Sequence, residues 1–325
     1  MSRIKLGGPK DFWNRLKSIS VSEIAREADR PLNIAVVGAE SDCFMAIEAI
    51  RANPSKEARS NAIAPATAMI HSFSSPDEFP AIEAAFDFII DVGLNPSAPS
   101  HHGTTYRAVE LGGLEATLDR IYDDRPDLML ALARNFPRYR PRASQDTIQQ
   151  TAMTNAEFSL ITGVASAFPL FELVLPANAL SDILVLTKNQ VMMALRLAAI
   201  YGLEVNYKSR MKELTPILVN AFSWRAIARE LVGAVPMVGF VFRAMISYAG
   251  TVAVGKAAQL YYECGETITR SQAQRMYREA YAGSREKVRM LSERIRSTRR
   301  AIPAASEGDL ELDAGGNEST EQPER

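Results

Sequence analysis

The sequence predicts two fold classes in one chain. A small, largely parallel α/β sheet comes first, followed by an all-α region that forms a helical bundle or a membrane-associated helical domain. Three observations predict this. Short apolar runs rich in β-branched residues alternate with helical spacing over residues 31–125. Strand patterns stop near 123–127, and the later segments carry helical spacing. Two long apolar blocks, Leu160–Leu186 and Leu231–Gly255, sit in a chain otherwise balanced in charge, with 37 basic and 38 acidic residues.

Each element follows from local pattern. Phe12, Trp13, Leu16, Ile19, Val21, Ile24 and Ala28 give a thin apolar stripe, which predicts an N-terminal amphipathic helix within 1–30 that ends at Asp29–Pro31. Leu32–Val37, closing on Gly38, reads as a buried strand. Phe44–Ala52 reads as helix, Ala66–Phe73 as strand and Ala81–Ala85 as a short helix. Phe86–Val92 reads as the third strand, Thr105–Glu110 as a weaker fourth, and Leu114–Tyr122 as helix. Helices are then expected at Leu128–Asn135, Ser144–Ser166, Ala179–Tyr201, Lys208–Phe222, after Trp224, and at Ser271–Arg300. Residues 301–325 are acidic and poor in apolar side chains, the composition of a disordered tail.

The 325 residues suffice for about two domains and a sizeable core without staples. The even charge balance gives no overall field for nucleic acid. Two distant cysteines, Cys43 and Cys264, argue against a disulfide framework or a zinc site. Residues 1–17 lack the apolar core of a cleaved signal peptide.

A strand ending in Gly38 before a helix occupies the position of a phosphate-binding loop. That loop needs a second glycine, a lysine for phosphate and a hydroxyl for magnesium. Counting from Gly38, these positions hold Cys43, Phe44 and Met45, and Glu40 and Asp42 repel phosphate. Asp91, at the end of the third strand, echoes a magnesium-holding carboxylate. Gly38 and Asp91 are therefore the candidate nucleotide-binding remnant. No catalytic residue, cofactor or metal is expected, with GTP as the one nucleotide to consider. Thr187-Lys188-Asn189-Gln190 resembles a guanine-reading loop but carries Gln where the reading Asp belongs, inside a helical stretch. His101 and His102 are adjacent, so they point apart on an extended backbone. His71 stands alone on a strand, and no metal-ligand spacing joins the three. Cys43 sits at a helix start, where a dipole lowers a thiol pKa, yet no base is placed for it and a small buried residue is the plainer reading.

Two basic clusters stand out. Arg270–Arg300 carries ten Lys or Arg against three Glu, a pattern of a solvated face, an anionic-lipid face or a nucleic-acid face. Arg134, Arg138, Arg140 and Arg142 serve the same surface or cap a helix turn. The apolar blocks are of membrane-span length, but Pro169, Glu172, Pro176 and Asp182 interrupt the first, and Pro236 and Arg243 the second. Ala249 and Ala253 have small-xxx-small spacing, which permits close helix approach in lipid or in a soluble bundle. Asp182, Lys188, Asn189, Gln190 and Arg243 are polar groups within apolar sequence that need partners, and are the candidate positions of the helical region.

Leu186–Met193 followed by Ala198–Gly202, then Trp224–Leu231, Val235–Gly239 and Tyr248–Lys256, resemble a bacterial domain of YcjF-like inner-membrane proteins. That domain is also found behind Era-like GTPase domains. The resemblance covers about 165–265 and implies a membrane-embedded helical domain following a nucleotide-binding one, here with an eroded phosphate loop. The expected protein is a membrane-associated, non-catalytic regulatory or scaffold protein. It would work at the cytoplasmic membrane with lipid, and a GTPase or another membrane protein, as partners. The alternatives are a GTP-binding protein with an unorthodox loop and a soluble helical nucleic-acid binder.

Overall fold

A computed structural model describes residues 21–53, 68–74, 86–93, 105–165, 175–206, 210 and 240–301, with side chains left undescribed at 163–165, 175–184, 240, 270, 296 and 298–301. Within these residues the apolar run at 32–37 forms β1 (Leu32–Val37), entered from helix α1 (Ser22–Ala28). Helix α2 (Glu40–Arg51) begins four residues before the expected Phe44. Strands β2 (Ala68–Phe73), β3 (Phe88–Asp91) and β4 (Thr105–Arg107) complete a parallel sheet of order β2-β1-β3-β4. Ile34 pairs with Ile70 and Phe88, and Val37 with Phe73 and Asp91. The fourth strand is shorter than expected, because the chain turns at once after Arg107, with Glu110 N and Leu111 N both donating to Arg107 O; Gly112 and Gly113, at φ 86° and 110°, then lead into α3 (Leu114–Asp124). The expected short helix at Ala81–Ala85 and the helix at Lys208–Phe222 lie outside the described residues, apart from Arg210.

The mixed architecture read from sequence is the one observed. After α3 come α4 (Met129–Asn135) and four long helices, α5 (Arg140–Ala165), α6 (Leu175–Ile200), α7 (Phe240–Cys264) and α8 (Arg270–Ala301). Their ends have local causes. Gly202, at φ 78°, closes α6 with paired bonds from Gly202 N to Ala199 O and from Leu203 N to Ala198 O. Gly265, at φ 73°, closes α7. Thr269 and Gln272 form a reciprocal capping box that opens α8: Gln272 Oε1 accepts from Thr269 N at 2.7 Å, and Thr269 Oγ1 accepts from Gln272 N at 3.3 Å.

One apolar core runs through both halves. It joins Ile34, Phe88 and Ile90 of the sheet to Leu118 and Ile121 of α3, then to Leu132 of α4 and Leu195 of α6. Helix α7 is packed against α5, α6 and α8, and Gly255 marks the closest approach. A Cβ there would lie 2.6 Å from Ile148 Cγ1 and 3.1 Å from Met193 Sδ. Ala249 and Ala253 are also buried, so the small-residue spacing serves packing within the protein. Among the described residues no helix is long and apolar enough to cross a membrane.

The arginine cluster of 134–142 faces inward rather than toward a lipid surface. Arg134 is 8% exposed and donates to Ala199 O at 3.2 Å and Leu203 O at 2.9 Å, while its Nε lies 3.0 Å from Asp29 Oδ1. A cation thus meets the last carbonyls of α6, the favourable end of the helix dipole. Arg140, also buried, donates to Ala133 O and Arg134 O and lies over the Tyr201 ring. Arg138 ties Glu115 of α3 to Ala49 O of α2, and Arg142 pairs with Asp123 and stacks on Tyr122. Replacing Arg134 by Met would keep its bulk and remove the donor from Leu203 O and Asp29, and the second donor from Ala199 O, which Gly202 N also serves. The expected cost is about 3 kcal/mol of unfolding free energy, read as a lower urea midpoint at unchanged slope. Arg134→Lys would recover only part, because ammonium lacks the planar fork.

Candidate functional site

The carboxyl end of the β1–β3 pair is where this strand order reverses direction, the place where doubly wound sheets bind ligands. Gly38 and Asp91, the expected remnant, meet there. The crevice between them is filled. A Cβ on Gly38 would sit 2.7 Å from Val92 Cγ2, so the loop after β3 lies directly on the loop after β1. Four backbone donors around this turn are committed inside the protein. Gly38 N donates to Phe73 O at 3.1 Å, Asp42 N and Cys43 N both to Ala39 O at 2.9 Å, and Gly93 N to Asp91 Oδ1 at 3.1 Å.

The charge of the site is also answered internally. Glu40 and Asp42 occupy the first turn of α2, where the helix dipole favours anions. Asp42 Oδ2 lies 3.7 Å from the Cβ position of Gly93. Asp91 is 9% exposed, and its Oδ2 lies 3.9 Å from Arg107 Nε, on the neighbouring strand. Phe44 and Met45, at the lysine and hydroxyl positions, are exposed. Cys43 is buried with its Sγ 3.4 Å from Gly38 O, and burial first, then the charge of Asp42, push its thiol pKa up. A raised pKa keeps the thiol protonated and unreactive, which agrees with the small-buried-residue reading. Among the described residues no group of His, Cys, Asp and Glu is arranged to hold a metal. His71 lies on exposed β2 beside the rings of Phe73 and Phe86, while His101 and His102 lie outside the described residues.

The helical candidates divide. Asn189 and Gln190 enter a hydrogen-bonded network buried between α5, α6 and α7. Asn189 Nδ2 donates to Asn155 Oδ1 at 2.8 Å, and Asn155 Nδ2 donates to Thr251 Oγ1 at 2.9 Å. Gln190 Nε2 reaches the same hydroxyl at 3.3 Å, and Thr251 itself donates to Ser247 O at 2.8 Å. Ser159 and Ser247 both donate to Asn155 O. Lys188 and Arg243 are exposed, which corrects the expectation that both lie in apolar surroundings. Asp182 falls in α6, with its side chain outside the described residues. A second node joins three helices, with Lys287 Nζ donating to Gln149 Oε1 at 2.7 Å and to Tyr248 OH at 2.9 Å.

Sequence reading missed Asn155, Ser247 and Thr251. The available signal was Ser247 and Thr251 at four-residue spacing in an apolar run, on the side of the helix that carries Gly255. Thr187-Lys188-Asn189-Gln190, read as a chance likeness to a guanine loop, is the middle of α6, with Thr187 buried. The network consists of amides and hydroxyls, groups that do not ionise near neutral pH, so it fixes helix register rather than moving protons. Beside it, Thr151, Thr154, Asn189, Met192 and Arg196 line an open groove of about 220 Å³ between α5 and α6, where Arg196 pairs with Glu27 at 3.3 Å.

Compared with protein-family models, curated proteins and solved structures, the chain matches none.

Asn155→Leu would leave the Thr251 and Asn189 groups without their shared partner. A loss of about 2–3 kcal/mol in urea unfolding is expected. Asn155→Ala and Asn189→Ala should combine to less than the sum of their separate costs, since each breaks the same bond.

Proposed function

We propose that the protein is a membrane-associated, non-catalytic regulatory or scaffold protein, built on a degenerate GTPase-like module and carrying its lipid contact on α8. One observation carries this reading. Along α8 the positions of Arg275, Arg278, Arg285, Arg289, Arg296 and Arg300 fall within about 80° of helical arc and run for about 38 Å. The first four of these side chains are exposed. The face turned to the bundle carries Tyr277, Ala280, Ser284, Val288 and Ser292, all buried. A helix held by its apolar face therefore presents a line of guanidinium groups outward, which suits anionic headgroups at about 1 kcal/mol per basic residue near such a surface. The proposed contact is peripheral, on the outer face of α8, while α7 packs against α5, α6 and α8.

The resemblance of about 165–265 to the YcjF-like domain supports the same location at the cytoplasmic membrane. The committed backbone donors and the carboxylates around Gly38 and Asp91 support a module that no longer turns over GTP. A GTPase or another membrane protein is the partner this arrangement suits.

The protein should co-sediment with vesicles containing phosphatidylserine at low salt, release at high salt, and ignore pure phosphatidylcholine vesicles. Arg278→Gln with Arg285→Gln should weaken the retention several-fold without changing the melting temperature. Equal retention by both vesicle types, or none by either, would rule out this lipid contact. Retention of an oligonucleotide instead would move the stripe to nucleic acid. Separately, magnesium with GTP should leave the melting temperature unchanged, and a shift abolished by Asp91→Asn would restore nucleotide binding to the sheet.

A further inference from the structure

We infer that the acidic segment at 307–324 lies back along the arginine stripe of α8 and competes with anionic lipid for it. The inference rests on the lipid reading of α8 and adds its regulation. The two partners are adjacent in the chain and opposite in charge. Beyond Ala301 the sequence holds seven acidic residues against one basic, Arg325. Glu307, Asp309, Glu311 and Asp313 come at every second position, followed by Glu318, Glu321 and Glu324. Leu310 and Leu312 are the only large apolar residues between Glu307 and Glu324, so the segment has little to bury.

Reach and spacing agree with docking in cis. Arg289 lies twelve helical residues before Ala301, about 18 Å away. The eight residues from Ala301 to Asp309 can span at most about 26 Å, so their length covers that distance. A fully extended stretch from Ala301 to Glu321 reaches about 65 Å, past Arg275 at about 39 Å. A tether this short holds the two at an effective concentration in the millimolar range.

The stripe has room for the contact. Arg289 already shares Glu286 at 2.6 Å, beside the stripe, and Glu293 at 4.0 Å, within its arc. Arg275, Arg278 and Arg285 are exposed and make no ion pair of 4 Å or less among the described residues. Those three are the positions where a segment carboxylate adds most. Exposed pairs of this kind are individually weak and salt-sensitive, so the segment screens the stripe and yields to a lipid surface of higher charge density.

The test uses the full chain and a full-length variant with Glu307→Gln, Asp309→Asn, Glu311→Gln and Asp313→Asn. Both are titrated with phosphatidylserine vesicles, and both carry spin labels at Met290→Cys and Leu312→Cys in a Cys264→Ser background. The neutralised variant should bind at least several-fold tighter at low salt, with the difference gone at high salt. The unaltered acidic segment should give short label distances at low salt that lengthen at high salt, and the neutralised one should not. Equal vesicle affinity with salt-independent label distances overturns the inference and leaves the lipid contact standing. Failure of both proteins to bind vesicles removes the lipid reading, and the label distances then decide the segment contact without it.

Discussion

The structure depends on a buried guanidinium at the end of a helix. Arg134 is held among α1, α4 and α6, where it meets the last carbonyls of α6 and the carboxylate of Asp29. A helix that ends inside a protein leaves carbonyls that must find donors. The turn at Gly202 satisfies Ala198 and Ala199, and Arg134, from a different part of the sequence, adds a second donor to Ala199 O and one to Leu203 O just beyond the helix. Arg140 repeats the device one turn later, donating to Ala133 and Arg134 carbonyls with Tyr201 beneath it. These contacts fix where the helical bundle sits against the sheet, and one continuous apolar core follows from that placement.

Within the bundle, apolar packing sets the distance between helices and polar groups set their register. Gly255 lets α7 come within contact of Ile148 and Met193. Such a close interface would tolerate sliding if it were uniformly apolar. Asn155 opposes this by bonding Thr251 on one neighbour and Asn189 on the other, since a shift of one turn would break both bonds and leave the buried Asn155 amide unpaired. Gln149, Tyr248 and Lys287 do the same for α8. The arginine stripe consequently points outward because its helix is held on the opposite side by buried residues and by Lys287, the one basic residue of the helix turned inward among those described.

The sheet carries the geometry of a ligand-binding fold with its crevice occupied by its own side chains. Val92 fills the space beside Gly38, and carboxylates rather than phosphate answer the start of α2. Arg107 stands by Asp91 where a bound cation would otherwise balance it. The proposed lipid contact lies on a different element, α8.

The sequence by itself determined the alternation of strands and helices, the switch to an all-helical region near Pro126, and the lack of phosphate-loop residues after Gly38. Each of these is written in local period and in residue type at fixed spacing. It also identified Asn189 and Gln190 as groups needing partners, and the basic composition of 270–300. It did not reveal Asn155 as the partner, because residues 34 and 96 positions apart meet only when three helices pack. Nor did it separate Lys188 from Asn189, which differ by one position and about 100° of arc, the difference between exposed and bonded. The inward fate of Arg134 and Arg140 was decided by tertiary structure alone. A charged residue reads as surface in sequence, and only the burial of an unfinished helix end supplies the carbonyls that make its desolvation worthwhile.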